Sequence, residues 1–491
     1  MPRNWIKRSY VDRLDRAAVL LLSCAALTAT LAGACNFKRD PSVLPPRPSD
    51  DARGTNTGRD VNIIPTGPCT GLRCQQSTCT QGNCAVTPCA TGTSTQLTGT
   101  VYDPSGKVPL YNAKVYVPNA ALADYTDGPS CDACDTSLSG DPVTQADSDV
   151  FGRFTLDNVP VGTNIPLVVQ IGKWRRQTVI DNVPACTSTP ITDVNLTRLP
   201  RNKGEGHLPK IALTTGGLDA LECLIRKIGI EDAEITADTG DGRVNLFAGG
   251  TRNGTPMSNS SAGTNSFMSG AMMTDAEVWW EQPANLNKYD IILHSCEGTE
   301  NPTNKSMAAR QALQAFADAG GRVFASHWHN YWIERGPAPW PMTANFRHQS
   351  DPANPFTGTI DQSFPKGTAL AQWLVNVGAS PAPGGTLEIN GAKRTVTTVN
   401  PPTQRWIYNG ANNSQVTQYF SFTTPYGTGS CGKVVFSDLH VTSGSGGAMN
   451  DDSDPTLPFP SGCRTTELSP QEKALIFMLF DLSACIIPTI P

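Results

Sequence analysis

The chain has 491 residues, 38% of them hydrophobic and only 16% charged, with 44 glycines, 39 prolines and a net charge of −5. That length accommodates two or three domains; the dispersed charge, with no basic stripe and no Arg/Lys segment interleaved with aromatics, speaks against a nucleic-acid partner. Fifteen cysteines are unusual for a reduced cytosolic enzyme and ordinary in an oxidising compartment.

At the N-terminus Arg3, Lys7, Arg8, Arg13 and Arg16 precede an uncharged apolar run from Ala17 to Ala34, the build of a secretory signal. A run of about 18 apolar residues is also just long enough for an uncleaved anchor, but this one closes on the small residues Ala32, Gly33 and Ala34 before Cys35. The segment resembles a lipobox, with the usual leucine displaced one place to Leu31. The resemblance implies that residues 1–34 are a signal peptide and that Cys35 is lipidated. The chain would then be a lipoprotein anchored to the membrane on the periplasmic or cell-surface side of the envelope. Residues 35–68, with Pro45, Pro46 and Pro48 and no aliphatic run, read as a disordered tether. In residues 69–95, Cys69, Cys74, Cys79, Cys84 and Cys89 recur every five positions. A metal site wants paired C-x-x-C spacing and histidines, so a disulfide-stapled stalk is the expectation. Setting Cys24 and Cys35 aside leaves thirteen cysteines, so at least one thiol stays free or pairs with another chain.

Residues 96–200 change to short strands between turn residues: LTGTVYD, a turn at Pro104-Ser105-Gly106, NAKVYVPN, and later GRFTLDNVPVGTNIPLVVQIGKWRRQTVI. This is the pattern of an all-β antiparallel sandwich. The stretches Gly99–Pro104, Ala113–Val117 and Asp149–Phe154 resemble a carboxypeptidase regulatory-like domain, which implies a transthyretin-like sandwich acting as a spacer or ligand-binding module. Cys131 and Cys134 lie in a loop, GPSCDACD, that opens no helix after a strand, so they read as structural rather than redox-active. Cys186 follows a later strand.

Over residues 208–491 strands and helices alternate. KIALTT, GRVNLFAGG, KYDIILHSCEG and RVFASHWHNYW are strands. LDALECLIRKIG is a helix with Leu221, Leu224, Ile225 and Ile228 on one face, and NKSMAARQALQAFADAGG is another. Such alternation calls for an α/β, flavodoxin-like parallel sheet with helices on both faces. Residues 385–425 have strand periodicity without helices and read as an antiparallel insertion, after which GKVVFSDLHV resumes the parallel pattern. Ser469, Pro470 and Glu472 announce a last helix by N-cap, first-turn proline and capping-box acid.

Four of the six histidines fall at the carboxyl ends of these strands: His294, His327, His329 and His440. In open α/β sheets the ligand crevice lies outside those ends. His294, Glu297, Trp328, His329 and His440 are therefore candidate ligand-binding residues, and Trp328, Tyr331, Trp332 and Trp340 suit stacking on sugar rings. The structural reading is that the histidines and tryptophans simply cap strand ends and bond neighbouring loops. The units KYDIILH, Ala319–His327 and Gly432–His440 are similar to trehalose-utilisation-type domains of the class I glutamine-amidotransferase-like fold. Where true amidotransferases place a nucleophilic cysteine, Ser326-His327 stands here, so glutamine hydrolysis by that thiol is not implied.

Two chemical sets remain. Cys296, on a turn after the third strand, is a candidate exposed nucleophile that His294 or His327 activates. His327 and His329, projecting to one side of a strand, together with His440 and Asp438, are a candidate zinc site. The DDSD run Asp451–Asp454 lacks calcium-loop spacing and reads as a solvated loop. Because first and last helices pack on one side of such a sheet, Cys223–Cys485 and Cys431–Cys463 are the expected disulfides. Two functions stay open: a surface-tethered protein that binds a glycan or another envelope component, and an envelope hydrolase or lyase using Cys296, His327 or a metal.

Overall fold

The computed structural model describes residues 89–486, apart from 133, 135, 411–414, 427–428 and 442–451, together with two short paired strands, Ser77–Thr80 (β1) and Asn83–Val86 (β2). The expected signal peptide, Cys35, the tether and most of the Cys-rich segment lie outside these residues. Among the described residues no helix is long and apolar enough to cross a membrane. The protein is sheet-rich, with several sheets of mixed parallel and antiparallel pairing.

A β-rich part comes first. Its strands are β3 (Gln96–Thr100), β4 (Lys114–Pro118), β5 (Pro142–Asp147), β6 (Arg153–Leu156), β7 (Gly162–Ile171), β8 (Trp174–Val183) and β9 (Ser188–Pro190). One sheet has the order β6-β3-β9 and the other β5-β4-β7-β8. In β6, Phe154 and Leu156 are buried while Arg153 and Thr155 face water, the two-residue period of a strand solvated on one side. Leu97, Val115, Val117, Leu156, Leu167 and Val169 from both sheets share one core.

The α/β part follows: β10 (Ile211–Thr214), α1 (Leu221–Lys227), β11 (Ile235–Ala237), β12 (Val244–Phe247), β13 (Thr251–Arg252), β14 (Thr255–Pro256), α2 (Ala276–Trp280), α3 (Pro283–Leu286), β15 (Ile291–His294), α4 (Met307–Asp318), β16 (Arg322–Ser326), α5 (Tyr331–Glu334), β17 (Ala344–Phe346), β18 (Phe356–Ile360), α6 (Pro365–Asn376), β19 (Thr386–Ile389), β20 (Val396–Val399), β21 (Gln404–Asn409), β22 (Val416–Thr424), β23 (Gly432–Ser437) and α7 (Pro470–Ser483). Its main sheet runs β11-β12-β10-β15-β16-β23-β22-β21-β18-β19, with β17 and β20 paired off this path. From β11 to β23 the strands are parallel. From β22 onward they are antiparallel, so the 385–425 segment extends the same sheet.

β10, β15, β16 and β23 are buried along their whole length because both faces of the sheet are covered. Alternate residues feed opposite cores. Ile211, Leu213, Ile291, Leu293, Phe324 and Val435 point to the α7 side, and Ala212, Ile292, Val323, Ala325, Val434 and Phe436 to the side of Trp280, Phe316 and Trp332. The α7-side core is continuous with that of the β-rich part. α7 begins where its sequence announces it, with a full capping box between Ser469 and Glu472.

The disulfides differ from the expected pairs. Among the described residues the bridges are Cys89–Cys186, Cys131–Cys431, Cys134–Cys485 and Cys223–Cys463. Neither Cys223–Cys485 nor Cys431–Cys463 forms, and sheet polarity is the reason. Cys431 starts β23 and Cys485 follows the end of α7, so both lie at the amino edge of the sheet, whereas Cys223 near the start of α1 and Cys463 ahead of α7 lie at the carboxyl edge. The GPSCDACD loop supplies the partners for the two amino-edge cysteines, so its cysteines are structural, each joined to the α/β part. The DDSD segment is not uniformly solvated either: Asp452 is fully buried and pairs with Lys227 at 2.9 Å.

Candidate functional site at the carboxyl edge of the parallel sheet

Because β10, β15, β16 and β23 are parallel neighbours, the loops that follow them open on one edge. The β10 loop passes hard against the β15 loop: a Cβ on Gly216 would stand 2.3 Å from the Cys296 carbonyl oxygen, so only glycine fits. β16 ends at Ser326, and His327–Asn330 form a 3₁₀ turn with His327 at φ +37°, in the left-handed region. The expected strand geometry for His327 and His329 is therefore wrong. Leaving the strand sends the two rings apart, and the four histidines divide into two groups.

His327 turns towards Cys296 and His440. Its Nδ1 lies 3.5 Å from Cys296 Sγ, and its ring meets that of His440 edge-on at 5.2 Å. One ligand atom from each of Cys296, His327 and His440 can be chosen such that all three lie within 4.8 Å of one another. All three residues are buried, and neither nitrogen of His440 has a hydrogen-bond partner among the described residues. Cys296 stays outside the disulfides, which the odd cysteine count permits, but it is enclosed rather than exposed on its turn. Burial pushes its thiol up to about 12, although backbone N–H groups of Trp328 and Gly298 donate to the sulfur. Burial also holds His327 well below the ordinary histidine value and His440 down at about 3, so both rings are neutral. An imidazolium that activates the thiol is thus absent in the enclosed site.

His294 and His329 belong instead to a packed aromatic layer. His329 Nε2–H donates to the Ser295 carbonyl at 2.9 Å, and its Nδ1 accepts from Trp332 Nε1 at 2.8 Å, which fixes its tautomer and uses both nitrogens. His294 stacks on His329 and Trp332, with Nδ1 3.1 Å from Thr214 Oγ1. Glu297, expected to meet ligand, turns inward. Its Oε2 accepts from Lys305 Nζ at 3.0 Å and from Asn301 at 2.6 Å, and the fully buried Lys305 ammonium also faces the Trp280 and Trp332 rings. Trp332 and Trp340 are core residues, and Tyr331 lies under Arg310. Asp438 does not join the histidines as a ligand: Oδ2 accepts from the Thr395 amide at 3.1 Å, and burial raises its carboxyl to about 7.

Two features escaped the sequence. Asp219, in the loop after β10, accepts from the Ser326 hydroxyl and, at 2.7 Å, from the Val441 amide. It thereby fixes the residues next to both His327 and His440; its carboxyl-edge position was the available signal. The second feature is half-exposed. Trp328 packs on His327 at 4.7 Å and stacks on His348 at 5.7 Å with only 9° between planes. His348 pairs with Glu334 at 2.8 Å, Asn330 donates to Glu334 and Glu300, and Glu300, Glu334 and His348 form a compact polar group. The hydrogen bond that the His348 ring donates to the Glu334 carboxylate raises the His348 pKa. His348 is remote in sequence from any predicted strand end, so no pattern pointed to it.

No protein-family model matches the chain, and no curated protein matches it. Among solved structures, a ThuA-like protein from Bacteroides uniformis matches at 10% identity over 47% of this chain and 82% of that one, with a TM-score of 0.25. A type II cohesin–X-dockerin complex from Acetivibrio cellulolyticus matches at 13% identity over 30% of this chain and 78% of that one, with a TM-score of 0.14. At these scores neither likeness carries an argument about this chain's activity.

Proposed function

We propose that this chain is an exported lipoprotein, tethered through Cys35, that binds a polyhydroxylated envelope ligand such as a glycan at the carboxyl edge of its α/β domain. In this reading the β-rich part is a transthyretin-like spacer and the α/β part a trehalose-utilisation-type domain, in keeping with the motif resemblances above. The observation that carries the proposal is the Trp328–His348 stack. Half-buried Trp328 with the exposed His348 ring stacked on it, beside Glu300 and Glu334, offers a sugar some aromatic surface and hydrogen-bond partners for its hydroxyls. The buried tryptophans of the same loops offer no such face.

The test is a binding screen of the full chain against purified envelope glycans, with Trp328→Ala as control. Trp328→Ala is expected to weaken binding at least tenfold with little loss of stability, because Trp328 is only partly buried. If no glycan binds, or if Trp328→Ala binds undiminished, the ligand reading is wrong. In the exporting host, Cys35→Ser should accumulate precursor without acyl label; a labelled variant refutes the lipid anchor. A second reading, an envelope hydrolase or lyase, is favoured by the 3.5 Å approach of Cys296 to His327.

A further inference from the structure

The buried Cys296–His327–His440 group has features that the ligand reading leaves unexplained. His440 is fully buried, and its two ring nitrogens have no hydrogen-bond partner among the described residues. A neutral imidazole carries one donor and one acceptor, and leaving both unsatisfied away from water costs the desolvation of each. Native interiors rarely tolerate that unless an unseen partner is present. Water is one such partner, but beside His440 stand a sulfur and a second neutral imidazole, which are soft and borderline donors.

We propose that Cys296 Sγ, His327 and His440 bind a single zinc-class ion, a site that stands independently of the glycan reading. The separations suit it. With Zn–S near 2.3 Å and Zn–N near 2.0–2.1 Å, tetrahedral angles place sulfur and nitrogen about 3.6 Å apart, and Cys296 Sγ and His327 Nδ1 are 3.5 Å apart. The three ligand atoms already fall within 4.8 Å of one another, so inward shifts of about an ångström or less at each ligand complete a coordination triangle. Binding displaces the thiol proton to solvent and forms an S–Zn bond, and the thiolate so created is the form that the Trp328 and Gly298 amides are directed to stabilise. Asp219 supports the site from behind. By holding Ser326 and Val441, each next to a histidine ligand, it sets where both rings stand, as outer carboxylates do around metal centres. Three protein ligands is the count found in zinc sites that keep a position for water or substrate.

The sequence-based set of His327, His329, His440 and Asp438 is thereby revised. His329 has spent both nitrogens and Asp438 faces Thr395, while Cys296 takes a ligand place.

The test uses the full chain purified from an exporting host without chelator. Metal analysis is expected to find about one zinc per chain. Exchange to cobalt should give intense thiolate-to-cobalt absorption in the near ultraviolet. Cys296→Ser should lose that band while keeping its far-ultraviolet circular dichroism, and His440→Gln should lower metal retention at least tenfold. Failure of the wild-type chain to hold zinc, and to take up cobalt from micromolar solution, overturns the proposal without reliance on any variant. So does a Cys296→Ser protein that keeps the wild-type cobalt band.

Discussion

Glu222 in α1 is fully buried, with one carboxylate oxygen unpartnered, and burial beside Asp219 raises its carboxyl from 4.5 to about 8. Between those values the folded protein keeps a proton that the unfolded chain has released. Stability therefore falls as pH rises, by up to about 1.4 kcal/mol per pH unit for each such group. Asp219 and Asp438, raised to about 7, act in the same direction. The buried histidines, shifted below 6.5, act oppositely but only below that value, where the unfolded chain takes up protons. From about pH 6.5 to 8 the acids act, joined in the same direction by His348, whose pKa its bond with Glu334 raises. Urea-unfolding free energy is expected to drop across this window, and Glu222→Gln should lose about 1–2 kcal/mol less than wild type. Parallel curves for the two proteins would show that Glu222 is already ionised in the fold. At this scale the sequence showed which residues are chemically able, and it missed their environment: Cys296 was expected exposed and is enclosed, and His327 and His329, two positions apart, serve different groups because a single left-handed residue ends the strand.

At the scale of elements, the hairpin between β7 and β8 shows how the two parts of the protein meet. Gly172 at its turn has φ +51°, and a Cβ there would stand 1.9 Å from the Ser483 carbonyl oxygen at the end of α7. Next to it, Lys173 forms an ion pair with Asp290 just ahead of β15, and Trp174 Nε1 donates to Ser483 Oγ at 3.4 Å. Gly172→Ala therefore meets both a backbone penalty and a backbone collision, and should destabilise by about 2–4 kcal/mol. Chemical denaturation checks this; a loss under about 0.5 kcal/mol would mean that hairpin and helix separate readily. Strands with strong periodicity were legible, as were α4 and α7 with their serine caps. The segment from β17 to α6 was not, because its strands are short and its burial is supplied by the sheet it joins.

At the scale of the whole molecule, Cys131–Cys431 and Cys134–Cys485 close loops of 300 and 351 residues and fasten the β-rich part to the amino edge of the α/β sheet. In the chain-entropy account long loops give the largest effect on the unfolded chain, about 6 kcal/mol for one such bridge taken alone. The paired variant Cys131→Ser/Cys134→Ser should lower Tm by several degrees or more. Peptide maps without reduction should show Cys131–Cys431 and Cys134–Cys485 in the wild type; a Cys131–Cys134 bridge there would contradict this architecture.

The sequence by itself determined the strand–helix alternation, the carboxyl-edge position of the histidines and the odd thiol, because periodicity, capping residues and counting are local properties of the chain. Tertiary structure alone decided which cysteines meet, which histidines stay unpaired and that Asp219 and His348 belong to the site. Those outcomes depend on sheet polarity and on the direction of one backbone turn, and they are fixed only when segments hundreds of residues apart pack against each other.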